Sequence, residues 1–507
     1  MKIQTFISAA LLITNLQLIT NNCTAQVYFN KEFTNDSSAW DLGAFVHEFS
    51  DTSGYLIVGS IPMLGYQNYL RFLRLNVNGD TLWSKFYRNR ILAQGPTLGD
   101  YVNIGDTNFV LGGVYSPQSS DSVQINLFKI DANGNVLWDL LFGDAGKKTW
   151  AYDIKQTKTK GFIITGWTSG WGAGNAGKSF LLKVDSNGVE EWHKIYTVGL
   201  YSLASSVDTT NDGGYIISGG LNYNSSADIF VLRTDSLGIV QWVTIYGSPY
   251  PDWYSAYIKK YGANEYILAG GITVDFGNGL NSQTYLAKID GQNGNVIWAD
   301  TAGTDQSTYD EGFNSTPIIL NSGAIVLVGD VDRTSNPGSG TLALLAKYSS
   351  NGTKLWERDF SKYGATNQHY FWDVHETFDK GFIVCGDLTD QSTPSNFKRL
   401  WVVKLDSMGC EVVNCNVGVE EEEVIAQNEV MVYPNPANNL LTIEINDDLY
   451  LVNSCVKLYN IDGKELINSS MSSTFNQVDI SKYPSGIYFF QLLNSKKTFT
   501  GKLIIIH

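Results

Sequence analysis

Through most of the chain, apolar and polar residues alternate over short stretches, with clusters of Gly, Asn and Asp between one stretch and the next. A period of two puts alternate side chains on opposite faces of an extended strand, and the intervening residues are the ones that accept tight turns. The pattern is clearest in one unit, where Ala151 to Gln156, Gly161 to Thr165, Ser179 to Val184 and Val189 to Tyr196 read as four antiparallel strands. No long Glu, Lys and Ala-rich helical period interrupts it, so the pattern predicts an all-β chain.

The unit repeats. Lys129 to Trp138 and Lys183 to Trp192 are versions of one segment, and its tryptophan recurs as Trp83, Trp138, Trp192, Trp242, Trp298 and Trp356. The spacing, about 55 residues, is that of a propeller blade. A glycine stands four positions before each tryptophan, and a seventh, Gly409, precedes Val413 instead. A second glycine ends the preceding strand in all seven copies: Gly59, Gly113, Gly166, Gly219, Gly270, Gly329 and Gly386. Seven four-stranded units predict a seven-bladed β-propeller over 26–415. Val27 to Phe33 resembles the tryptophan strands and is expected to supply the outer strand that the seventh blade lacks, since ring closure removes exposed sheet edges. The tryptophans read as inter-blade packing. The Asp-x-x-Gly segments read as tight turns; Asp131 to Asn135 starts like a calcium loop, but Val136 stands where that loop needs glycine.

Composition narrows the class. The 507 residues are 43% hydrophobic and 13% aromatic, enough for a large core, and the net charge of -15 argues against a surface built for nucleic acid. Met1-Lys2, the apolar run Phe6 to Ile19 and the exit Cys23 to Gln26 predict a secretory signal over 1–25. No other run is long enough for a transmembrane helix. Residues 416–429, with Glu420 to Glu423, read as an acidic linker. Cys410 and Cys415 are expected to pair in the oxidising periplasm, while Cys385 reads as a core thiol.

Beyond the linker, 430–507 reads as a small Ig-like β-sandwich. Tyr433-Pro434-Asn435-Pro436 opens a strand, Val456 to Leu466 forms a hairpin turning at Asp462-Gly463, and the stretch from Gly486 and Tyr488 onward, with Lys502, supplies the last strands. In this order, these motifs resemble the type A C-terminal sorting domain of type IX secretion (Por) cargo. The resemblance implies export through the type IX machinery, then release or attachment at the outer surface of a Gram-negative cell. The repeats likewise resemble those of quinoprotein-like propellers and of type IX cargo. Such an oxidoreductase would carry an adjacent cysteine pair, and none exists here.

Candidate chemistry lies in the loops entering each blade, where an aromatic stands beside an acid. These are Trp40-Asp41, Asp100-Tyr101, Trp150 with Asp153, Asp252-Trp253, Tyr309-Asp310 and Trp372-Asp373. Aromatic faces stack on sugars and carboxylates accept hydroxyl hydrogen bonds, so the loops suit a glycan-binding mouth. Trp167 and Trp171, in a glycine-rich loop expected on the same face, are the foremost binding candidates. The competing readings are that these aromatics staple loops to blades, that the acids serve a polysaccharide hydrolase or lyase, or that the ring is a protein-binding adhesin. The five histidines show no metal spacing, and no nucleophile elbow or phosphate loop appears, so neither cofactor nor metal is expected. Of the cations before each turn (Arg74, Lys129, Lys183, Arg233, Lys288, Lys347, Lys404), most are followed two positions on by an Asp, as in Lys129 and Asp131, Lys183 and Asp185, and Arg233 and Asp235, and these are expected to pair.

Overall fold

The structure, a computed structural model, describes residues 27–34, 41–62, 68–88, 101–115, 122–174, 176–221, 228–252, 255–275, 277, 279–301, 310–313, 315–332, 340–364, 366–389, 398–412, 430–445, 455–460, 464–470, 473, 475–493 and 498–506. The expected signal (1–25), the linker (416–429), Trp40, Trp253, Tyr309, Cys415 and Gly463 lie outside them. The chain divides into two compact units, 1–413 and 414–507.

In the first unit, each repeat folds into one antiparallel sheet whose strands pair in sequence order, except that the first strand of the sixth is split into Asp310–Phe313 and Ile318–Ile319, both paired with Ile325–Asp332. Six blades occupy 42–88, 101–142, 149–196, 202–246, 256–301 and 310–360. The seventh combines three strands of 368–405 with Phe29–Phe33, which pairs with Lys398–Leu405. Seven apolar clusters each join one blade to the next. Phe45 meets Phe109 between blades one and two, and Val46 meets Ile383 and Leu400 between one and seven, so the ring closes on itself. The unit is a seven-bladed β-propeller with its core distributed between blades.

Both recurrent glycines have packing explanations. The turn glycine of each blade sits against the tryptophan of the blade before: a Cβ on Gly134, Gly238, Gly294 or Gly409 would approach Trp83, Trp192, Trp242 or Trp356 to 3.0 Å. Phe29 takes the tryptophan's place against Gly79, so the first strand brings the seventh blade's missing ring with it. The second-strand glycine answers a β-bulge. Register shifts at Ala44, Tyr152, Ser205 and Trp372 in the first strands, and a Cβ on the facing Gly59, Gly166, Gly219 or Gly386 would lie 1.8–2.2 Å from the carbonyl two residues before the bulge. An extra residue bends the strand, and only glycine leaves room for the displaced carbonyl.

The Asp-x-x-Gly turns spend their carboxylates locally. Asp131, Asp185, Asp235 and Asp406 each accept two backbone N–H groups of their own turn. The preceding cations therefore find partners elsewhere than expected. Arg233 pairs with Asp212 at 2.6 Å and Lys404 with Asp379 at 2.9 Å, both acids of first-to-second-strand loops, while Lys183 reaches Glu191 and Lys288 reaches Glu265. Cys410 is disulfide-bonded and Cys385 is a buried free thiol.

The second unit is a two-sheet sandwich. One sheet holds Val430–Tyr433, Leu440–Ile445 and Phe475–Asp479; the other holds Glu465–Ser470, Cys455–Tyr459, Gly486–Leu493 and Thr498–Ile505. Leu441, Leu458, Ile480, Tyr488, Leu503 and Ile505 form its core. Pro434 and Pro436 are exposed, and Asn435 between them latches to the last strand, donating to the Lys502 carbonyl at 2.8 Å and accepting from Ile504 N–H at 2.9 Å. Tyr433 donates to Glu444 and Tyr488 to the Pro484 carbonyl.

Candidate functional site: the lumen of the ring

The seven first strands surround a cavity of about 310 Å³ to which every blade contributes. Its aromatic lining is Phe45, Tyr101, Tyr152, Tyr257 and Trp372; its polar lining includes His47, Asn103, Lys155, Lys259, Ser205, Ser315 and His375. The bulges decide part of this list. Ala44, Tyr152, Ser205 and Trp372, the four bulge residues, all line the cavity, because the extra residue turns a side chain inward that strict alternation would place elsewhere.

The acids beside the bulges serve the scaffold. Asp153, 2% exposed, accepts Val207 N–H at 2.7 Å and the Ser206 hydroxyl at 2.9 Å across the blade boundary, and holds Lys155 at 2.8 Å. Asp373 accepts Val46 N–H at 2.9 Å across the ring closure. Asp41 is buried against Arg71; burial outweighs that guanidinium and pushes its carboxyl up to about 7. Asp252 is buried in its own loop, where it accepts Ser248 N–H, the Ser248 hydroxyl and Thr273 N–H at 2.7–2.8 Å. Asp310 begins a strand and its side chain lies outside the description.

The tryptophan candidates separate. Trp171 lies flat on the His193 ring, centroids 4.4 Å apart, with its edge against Phe180, and its backbone N–H donates to Asp144. Trp167 packs beside Tyr201 and over Gly177, and Trp150 against Val114 and Val123. Among the described residues, Trp372 is the one named tryptophan that lines the lumen; it stacks on Tyr370 at 5.4 Å and donates to Asp387 at 2.5 Å.

Residues that loop reasoning passed over complete the wall. His47 meets Asp106 at 2.7 Å and the Tyr101 hydroxyl at 3.1 Å, and its ring stands edge-on to His375 at 5.4 Å. Burial pushes His47 down despite Asp106, and burial with the neighbouring His47 pushes His375 down to about 4, so both rings are neutral at pH 7. Burial opposes the ionised Asp106, yet hydrogen bonds from Ser50, His47 and Asn103 hold its carboxyl well below the usual range. Aligning the repeats on the residue after the second-strand glycine's partner would have flagged the bulge positions. Ser315, Lys259 and His375 carried no such signal. Among the described residues, no group of His, Cys, Asp and Glu is arranged to hold a metal ion.

Residues 431–506 match the secretion system C-terminal sorting domain. No curated protein matches the chain. Among solved structures it is similar to a protein of unknown function from Bacteroides caccae (13% identity, TM-score 0.36, 64% of this chain and 94% of that one). It is similar as well to the β-propeller domain of the Trilobed protease from Pyrococcus furiosus (10%, 0.39, 72% and 94%) and to Drosophila Semaphorin 2a (10%, 0.42, 92% and 97%). At these values the propeller assignment rests on the sheet order and inter-blade cores described above.

Proposed function

We propose that this exported chain, whose residues 431–506 are a type IX secretion C-terminal sorting domain, binds an extracellular polysaccharide through the lumen of its seven-bladed propeller. The sorting domain makes it cargo of the type IX machinery, secreted or held at the outer surface. The observation carrying the ligand class is the convergence of Tyr101, Tyr152, Tyr257 and Trp372, from four blades, on one cavity with hydroxyl, amide and ammonium groups between them. Aromatic faces cover the apolar side of a sugar ring while such groups bond its hydroxyls. The acids Asp41, Asp252 and Asp373 already accept scaffold hydrogen bonds, which favours binding over turnover.

The test is affinity electrophoresis of the chain from residue 26 against a panel of soluble polysaccharides, beside a Tyr152→Ala/Trp372→Ala variant whose melting is checked. Retardation by at least one polymer, lost in the variant, is expected. No retardation, or retardation the folded variant retains, would overturn the reading.

A further inference from the structure

Three residues lining this lumen carry a buried polar atom with no hydrogen-bond partner among the described residues: the Ser205 hydroxyl, the Ser315 hydroxyl and His375 Nδ1. Ser205 is 2% exposed and Ser315 5%. A buried hydroxyl left unpaired is costly, and groups that bonded it would recover that cost. These three belong to blades four, six and seven, brought together only by ring closure, and they face a shared space. The same wall carries two ammonium groups. Lys155 is held by Asp153, whereas the Lys259 ammonium has no ion pair or hydrogen bond among the described residues. The two lumenal carboxylates, Asp153 and Asp373, are occupied by backbone N–H groups of the next blade. Among the described residues, the cavity therefore offers a ligand the Lys259 ammonium, the Ser205 and Ser315 hydroxyls, a His375 ring nitrogen and aromatic faces.

From this we infer that the lumen takes the terminal unit of an acidic polysaccharide, an anionic hexose whose charge sits on Lys259 and whose hydroxyls bond Ser205, Ser315 and His375. The inference rests on the carbohydrate reading above and narrows it. Size favours a chain end: about 310 Å³ lies at the small limit of ligand pockets, ~300–1,000 Å³, and a wall formed by the whole ring admits an end more readily than a chain interior. A carboxylate and a sulfate ester would present the same charge to Lys259, and the experiment separates them.

Calorimetric titration of the full chain from residue 26 would use glucuronate, glucose 6-sulfate and glucose as probes, with Lys259→Met, Lys259→Arg and Ser205→Ala/Ser315→Ala variants. At least one anionic probe is expected to bind about tenfold or more tightly than glucose, and the anion that does so names the source. Lys259→Met is expected to abolish that preference, Lys259→Arg to keep it, and the double serine variant to weaken all three probes. Should Lys259→Met fail to fold, the anion-over-glucose preference of the unaltered chain and its retention in Lys259→Arg carry the test. Equal binding of all three probes, or an anion preference that Lys259→Met leaves intact, would overturn the inference while the carbohydrate reading stands. No binding of any probe, together with retardation by a neutral polysaccharide that depends on Tyr152 and Trp372, would also sink the inference alone. No binding in either assay removes both.

Discussion

Carboxylates at the entrance to the blades show how burial sets a residue's role. Asp41 and Glu48 lie at the two ends of the first blade's inner strand, 2% and 8% exposed. Burial pushes the Glu48 carboxyl up to about 7 although Phe378 N–H bonds it. A carboxyl that keeps its proton when folded and loses it when unfolded stabilises the fold below the unfolded value, near 4.3; that contribution disappears as pH rises toward 7. His47, His369 and His375, all pushed down by burial, act in the opposite sense over much of the same range, so the Glu48 contribution must be isolated by substitution. Glu48→Gln is expected to gain about 1–3 kcal/mol relative to the unaltered chain between about pH 4.5 and 7.5, read from denaturant melts at each pH. Equal pH dependence of the two would refute it. Arg71→Met is expected to cost about 3–5 kcal/mol because Asp41 loses its buried partner, and Asp41→Leu/Arg71→Met to recover much of that. At this scale the sequence marked Asp41, Asp252, Trp372 and Asp373 as candidate ligand-binding residues of the blade-entry loops; the structure places Trp372 and Asp373 within the seventh blade's first strand and engages the three acids with the scaffold. Their neighbours were not legible, because a hydrogen-bond partner such as Val207 for Asp153 lies in the next repeat.

At the scale of elements, the inner strand and its facing glycine form one device. Gly166 lets the Trp150 carbonyl approach where Tyr152 bulges, so Gly166→Ala is expected to cost about 1–3 kcal/mol or more in thermal melts and to disturb the lumen. A variant melting like the parent would mean that the bulge relaxes freely. The first strand is the second device. Besides Phe29 against Gly79, Asn30 accepts the Trp401 indole N–H at 2.7 Å, and Glu32 accepts from Tyr363 and Arg399 at 2.7 and 2.8 Å. Removing 27–34 is expected to lower the melting temperature and expose an edge that associates, visible by size-exclusion chromatography. An unchanged monomer with unchanged melting would contradict that role. Repeat alignment revealed both devices as recurrent glycines and a stray tryptophan-like strand. Which strand face the bulge would turn inward was not visible there.

For the whole molecule, the propeller and the sorting domain fall in separate compact units. Deleting 431–506 is expected to leave the propeller folded but retained within the cell, shown by fractionation and immunoblotting; equal surface or medium levels would remove the sorting role. Sequence alone determined the seven-fold repeat, ring closure by the first strand and the sorting unit, because alternation, turn residues and linear motifs are local and repeat along the chain. Only the tertiary structure decided which side chains enter the lumen and which acids are occupied by the scaffold. A one-residue bulge reverses the inside-outside order of a strand, and the lumen is assembled from seven segments that meet only when the ring closes.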